Sequence, residues 1–251
     1  MMSDLKQFIS NLELSEPDAA IVFPSILDSG ADYLESTEGD TGLMNFRGLC
    51  SFASGISRQR QEDVMNSLLL AQRVATKSFP EDNQIMEWYR KYFEVLDRIG
   101  WIYENKDFST FETKSSLFNI EKAILEILGT ALSQNQMAVI MKTVDAFKSL
   151  GEDDKRFIAF EKYTHTLYRG CFQLGVASEE NSTLSVSATA FALFTEKKIS
   201  QILFFSSQKE VTEFKFCASK ATLNDGVFKD ARETIREKLG DASGFVAALD
   251  L

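Results

Sequence analysis

The chain has 251 residues, 44% of them hydrophobic and 25% charged, a balance that excludes a disordered polypeptide. Its formal charge of −10 argues against nucleic acid as a partner and against simple electrostatic attachment to anionic lipid, both of which need clustered Lys and Arg. No apolar run approaches the ~18 residues of a membrane-spanning helix.

The start, Met1-Met2-Ser3-Asp4-Leu5-Lys6, has neither a basic segment nor a long apolar run, so a cleavable signal peptide is not expected. Three widely spaced cysteines, Cys50, Cys171 and Cys217, form no CxxC pair. Together these features predict synthesis in a reducing cytoplasm, with export only by a route that needs no cleavable signal. Twenty-one Phe against six Tyr and two Trp predict a large, dry core.

Two helix starts are predicted early, at Ser15-Glu16-Pro17-Asp18 and Ser78-Phe79-Pro80-Glu81, each with Ser at the cap, Pro in the first turn and an acid at the third position. Thr41 to Ser57 interleaves Leu43, Met44, Phe46, Leu49, Phe52 and Ile56 with Gly42, Gly48, Ala53 and Gly55. It reads as a buried helix in tight contact with its neighbours, or as an apolar hairpin able to meet a membrane. Val64, Leu68, Ala71 and Ala75 make a helical stripe, and Ile85, Trp88, Tyr89, Tyr92, Phe93, Leu96 and Ile99 a stronger one. Trp101 to Thr113 alternates irregularly, as a short strand or an extended loop. Two further helical stripes run from Leu117 to Ala131 and from Met137 to Phe147, the latter ended by Gly151.

After about residue 165 the period changes. Phe172 to Val176, Thr183 to Phe194, Ile199 to Phe205 and Val211 to Thr222 read as strands, and the short polar turns between them favour an antiparallel meander. Asn224-Asp225 caps a closing helix with Val227, Phe228, Ala231, Ile235 and Leu239 on its inner side, stopped by Gly240. The tail Phe245 to Leu251 is expected to pack back. The predicted fold is therefore α+β in a single domain, 1–251. Its mainly helical part (1–165) packs on an antiparallel meander of about four strands plus a C-terminal helix (166–251).

Signatures of chemistry are few. The one histidine, His165, rules out a multi-histidine metal site, and any Ser-His-Asp or Cys-His arrangement would have to use it. Neither GxSxG nor GxGxxG nor GxxxxGK[ST] occurs. The acidic pairs Asp153-Asp154 and Glu179-Glu180 read as turns. Among the cysteines, Cys171 has the most reactive setting, with Arg169 as a nearby cation and Gly170 leaving the backbone open; Lys215 could serve Cys217 in the same way.

Phe204-Phe205-Ser206-Ser207, then Phe214-Lys215-Phe216, Leu223-Asn224 and Arg236-Glu237-Lys238-Leu239-Gly240 give residues 165–251 a pattern that resembles the family of the Erwinia virulence factor, Evf. The likeness before residue 165 is one of element order alone. It implies a non-enzymatic α+β protein that helps a bacterium persist in an insect gut, with palmitate held as a thioester on an internal cysteine. Position in the chain matches Cys171 to that cysteine, with Cys217 as the alternative. No cofactor is implied beyond the covalent palmitate, and the implied partner is a host membrane or lipid, with no nucleic acid and no protein partner specified. Ala188, Ala190 and Ala192, on one face of a predicted strand, could leave a groove for the acyl chain unless Phe side chains fill it. Two alternatives stay open: a cysteine-dependent acyltransferase or thioesterase using Cys171 with His165, and a plain protein-interaction module.

Overall fold

A computed structural model describes residues 4–16, 38–240 and 245–251. The described elements run α1 (Asp4–Asn11), β1 (Thr41–Asn45), β2 (Gly48–Phe52), α2 (Arg58–Ser78), α3 (Ile85–Arg98), β3 (Trp101–Tyr103), β4 (Ser109–Thr110), β5 (Leu117–Asn119), α4 (Ile120–Ala131), α5 (Gln134–Lys148), α6 (Lys155–Thr164), β6 (Arg169–Glu180), β7 (Thr183–Thr195), β8 (Ser206–Gln208), β9 (Thr212–Leu223), α7 (Asp225–Leu239) and β10 (Ala247–Leu249).

The main sheet has eight strands in the order β10-β1-β2-β6-β7-β9-β3, with β4 also on β9; β5 and β8 pair separately. Every pairing is antiparallel except β2 with β6, where Gly48 lies beside Gln173 and Phe52 beside Ala177. The long strands β6, β7 and β9 form the predicted meander, closed between β6 and β7 by Asn181 and Ser182, both at positive φ (49° and 61°), as a two-residue hairpin turn requires.

Side chains alternate across this sheet, and both faces are covered. Cys50, Phe52, Cys171, Ala177, Ala190, Ala192 and Cys217 pack on one side with α1, α2, α3 and α7. Leu49, Phe172, Leu174, Phe191, Leu193 and Phe214 pack on the other with α4, α5 and α6. Phe172, Phe191 and Phe214, on three adjacent strands, stack at centroid distances of 4.9 and 5.4 Å, the ring contacts expected of a phenylalanine-rich core.

This two-sided burial accounts for the main corrections to the sequence reading. Thr41 to Ser57 is not a helix. It holds β1 and β2, whose side chains are buried on both faces, so their apolar residues run nearly without interruption and lose the alternation that marks a strand. The hairpin of the other reading is present: β1 and β2 pair antiparallel, with β10 on one edge and β6 on the other. The sheet therefore has eight strands rather than four, and its middle is supplied in part from before residue 165. Ile199 to Phe205 is not a strand. Ile202–Phe204 form a single 3-10 turn that buries Ile202 and Leu203. Trp101 to Thr113 supplies two short edge strands, β3 and β4.

Helix ends follow local chemistry. Ser133 and Gln136 form a capping box on α5, and Asn119, Asp154 and Asn224 cap α4, α6 and α7. Asp154, read from sequence as part of a turn, thus serves as a cap. Ser78 is the last residue of α2 and not a cap; Glu81 caps the 3-10 turn that leads into α3. The start predicted at Ser15 continues into Pro17 and Asp18, which lie outside the described residues. Among the described residues, no helix is long and apolar enough to cross a membrane.

Candidate functional site

The first residues of β6 carry the predicted site. Cys171 points from the sheet toward α3, where a cavity of about 90 Å³ opens between Ile85 and Trp88 on one side and Tyr163 to Thr166 on the other. Arg47, from the β1–β2 turn, lies over the Trp88 ring at 4.9 Å and forms part of the wall. The fold thus brings Cys171 and His165 to the same cavity, as the sequence suggested for this junction.

The expected roles of their neighbours differ from what the geometry holds. Gly170 does not leave the backbone open: a Cβ there would lie 2.6 Å from Ile202 Cδ1 and 3.2 Å from Leu193 Cβ, so the glycine is required by close packing. Arg169 donates to the carbonyls of Tyr168 and Thr195 at 2.8 and 3.3 Å and faces the Phe194 ring. His165 has both ring nitrogens engaged, Nδ1 2.9 Å from the Thr166 carbonyl and Nε2 2.9 Å from Glu161 Oε2. Neither nitrogen is directed at a thiol, which speaks against His165 as the base of a Cys-His pair.

A buried polar network lies beside Cys171. Gln72 Nε2 donates to Asn45 Oδ1 (3.0 Å) and Gln173 Oε1 (2.9 Å), and Gln173 Nε2 donates to the Tyr89 hydroxyl at 3.3 Å. Tyr89 Oη in turn donates toward the carbonyls of Phe172 and Phe191 at 2.9 and 2.8 Å. Burial, reinforced by the neighbouring Cys171 thiol, pushes the Tyr89 phenol well above its ordinary range, so it remains a donor at all physiological pH. Nothing in the spacing of Asn45, Gln72, Tyr89 and Gln173 announces this cluster. Only the parallel β2–β6 pairing, which sets Gly48 beside Gln173, assembles it.

All three cysteines are buried, Cys171 at 2% exposure like the other two, but Cys50 and Cys217 line none of the described cavities. Cys50 is 2% exposed, and burial pushes its thiol up to about 12. Cys217 is as buried, sits against Asn105, and is pushed up to about 11 by burial and by Asp107. The alanine face of β7 is largely filled: Ala190 and Ala192 lie inside the core formed with α2 and α3. A larger groove of about 820 Å³ lies at the far end of β6, β7 and β9, but Ser187, Thr189, Gln136, Glu180 and Lys220 among its walls make it unlike a lipid tunnel. Among the described residues, no group of three or more His, Cys, Asp or Glu is placed to hold a metal.

No protein-family profile and no curated protein sequence matches the chain. Three solved structures are similar in fold. Activated Cyt2Ba monomer from Bacillus thuringiensis subsp. israelensis shares 12% identity, with 72% of this chain and 98% of that one covered and a TM-score of 0.37. A delta-endotoxin shares 14% identity, with 72% and 81% covered and a TM-score of 0.39. The Evf virulence factor shares 11% identity, with 96% and 89% covered and a TM-score of 0.35. Likenesses at this level concern the arrangement of helices and strands and assign no activity.

Proposed function

We propose that this chain is a non-enzymatic host-interaction protein of the virulence-factor kind, and that Cys171 carries a fatty acyl group as a thioester. The observation that supports the acyl site is that, of three cysteines each 2% exposed, Cys171 is the one that lines a described cavity, the one between α3 and the end of α6. The host-interaction part comes from the sequence resemblance of residues 165–251, and the likenesses in fold add no weight to it.

The chemistry is a thiol exchange. An acyl thioester donor would transfer its acyl carbon to Cys171 Sγ, with the cysteine proton leaving on the donor's departing thiol. The size of the cavity then decides where the chain lies. Against ~30 Å³ for a water in the liquid, 90 Å³ admits the thioester and the first few carbons. The rest of a sixteen-carbon chain has to emerge or displace core side chains. At ~0.8 kcal/mol per buried methylene an emerging chain carries on the order of 10 kcal/mol of apolar surface, and a single such chain gives reversible membrane attachment.

Intact-mass measurement of protein from its native host, before and after hydroxylamine, tests this reading. A hydroxylamine-labile adduct near the palmitoyl mass, absent from Cys171→Ser and retained in Cys217→Ser, is expected. An adduct that persists in Cys171→Ser, or none at all, overturns it.

A further inference from the structure

We propose that Glu161 and His165 form a proton-operated latch over the Cys171 cavity, closed while the imidazole carries two protons and opened when it loses one. This deepens the acyl-site reading, on which its biological meaning rests, by stating when Cys171 can be reached.

The geometry carries the inference. Glu161 and His165 are one helical turn apart at the end of α6, and each side chain is 12% exposed. The ring's two partners, a backbone carbonyl and a carboxylate oxygen, both accept. A neutral imidazole has a single N–H and can serve only one of them; an imidazolium serves both. Glu161 Oε2 is shared, since it also accepts from the Ile202 amide at 2.9 Å. Oε1 is buried with no hydrogen-bond partner among the described residues.

Two walls of the cavity are thereby pinned through one proton. Thr164, His165 and Thr166 line it directly. Thr166 Oγ1 donates to Asp82 Oδ2 at 3.0 Å, which ties the α6 end to the segment before α3. Ile202, held by Glu161, fills the space over Gly170 on the face of β6 opposite Cys171, so its amide reports on the same anchor without lining the cavity. When the ring loses a proton, one of its two bonds goes. Glu161 is then left as a poorly solvated carboxylate with a single amide donor, and the way to relieve that cost is to turn outward to water. The Ile202 turn and the end of α6 lose their common anchor when it does.

The surrounding charges do not decide the matter. Lining the same cavity as the ring are Lys162 and Tyr163 from α6, Arg47 from the β1–β2 turn, Glu81 and Asp82 from the segment before α3, and Arg169 from β6. The Ile199 to Phe204 segment brings no ionisable group. Two carboxylates thus stand against three cations, and Glu161 is the acid in contact. Burial alone depresses the His165 value, but the bonds to Glu161 and the Thr166 carbonyl outweigh it and leave it above the ordinary 6.5. For a histidine raised in this way, the stabilisation is fully present below the ordinary value and is lost as pH rises through the folded one. The latch is therefore shut at low pH and opens as pH rises through a midpoint above 6.5.

His165 is the sole histidine, so its ring signals in the intact chain need no assignment. Nitrogen-15 NMR from pH 5 to 10 is expected to show both ring nitrogens protonated at pH 6 and a midpoint above 6.5. Between the open ring's ordinary value and this midpoint, amide exchange at Ile202, corrected for its intrinsic pH dependence, should accelerate about tenfold per pH unit and then level off. Glu161→Gln should lower the midpoint and abolish that slope. A neutral ring at pH 6, or Ile202 protection indifferent to the ring's titration, overturns the latch. The two readings fail separately. A chain without an acyl adduct can still show the titration and the slope, and a neutral His165 leaves the hydroxylamine result untouched.

Discussion

Gly170 and Ile202 meet with no space between them: a methyl on Gly170 would come within 2.6 Å of Ile202 Cδ1. The contact fixes the 3-10 turn Ile202–Phe204 against the first residues of β6, on the face of the sheet opposite Cys171. Gly170→Ala should cost about 1–3 kcal/mol through overpacking. Ile202→Val removes the clashing atom and should cost about 1 kcal/mol alone. If the contact is as tight as the geometry says, the double variant is more stable than the sum of the singles predicts, measured by chemical denaturation. Strict additivity would show that the turn moves away freely.

Asp63 and Arg232 make a two-point ion pair between α2 and α7, at 2.7 and 2.8 Å, with the Asp63 side chain 1% exposed. Glu62 and Arg236 pair beside it. Removing one partner leaves the other's charge poorly solvated, so Asp63→Asn should destabilise by about 3 kcal/mol, and Asp63→Leu with Arg232→Leu by less than the two singles together. Burial, opposed by Arg232, leaves the Asp63 carboxyl above its ordinary value. The folded state therefore binds this proton more readily than the unfolded one, and as pH falls from the folded value toward the ordinary 3.8 its contribution to stability grows. Asp63→Asn should remove that rise from a stability-against-pH curve; an unchanged curve would contradict it.

Much of this architecture is readable from local pattern. The α3 stripe, the α7 stripe with its Asn224 cap, and the β6 and β7 strands show their periods plainly, and the Asn181-Ser182 turn lies within a predicted polar turn. The helices α1 and α6 go unread. One is short, and the other, Lys155–Thr164, is a ten-residue helix whose buried Phe157, Ala159 and Phe160 are interrupted by the exposed Ile158, which blurs its helical stripe. The β1–β2 hairpin misleads because two-sided burial erases alternation. The site divides in the same way. Cys171 and His165 stand out as rare residue types; Glu161 meets His165 one turn away on a helix that goes unread, while Tyr89 and Ile202 become neighbours of the site only through long-range packing.

Asp154 caps α6 by accepting from the Arg156 amide at 2.8 Å, and its carboxylate pairs with the Arg156 guanidinium, which also holds the Ala248 carbonyl of β10 at 2.9 Å. Arg156 holds the Asp154 carboxyl below the ordinary carboxylate value. For a lowered acid the stabilisation is present above the ordinary 3.8 and lost as pH falls through the folded value. Asp154→Ala should cost about 1 kcal/mol at neutral pH, the usual worth of a cap. The difference from the unmodified chain should vanish in strong acid, and a difference that persists there would show that the cap acts without its charge.

The three cysteines should separate cleanly under alkylation. Only thiolates react at useful rates. Burial pushes Cys50 up to about 12 and Cys217 up to about 11, so in the folded chain at pH 7.5 both should stay unmodified over hours. Cys171 borders a cavity whose wall is held by the Glu161–His165 pair, so it should be the first labelled, with label mapped by peptide mass spectrometry. Glu161→Gln should speed labelling of Cys171 at neutral pH and leave Cys50 and Cys217 unlabelled, because it loosens one wall of one cavity. Uniform acceleration at all three would mean that the variant loosens the whole fold, whereas an inert Cys171 in Glu161→Gln would show that the end of α6 does not guard it.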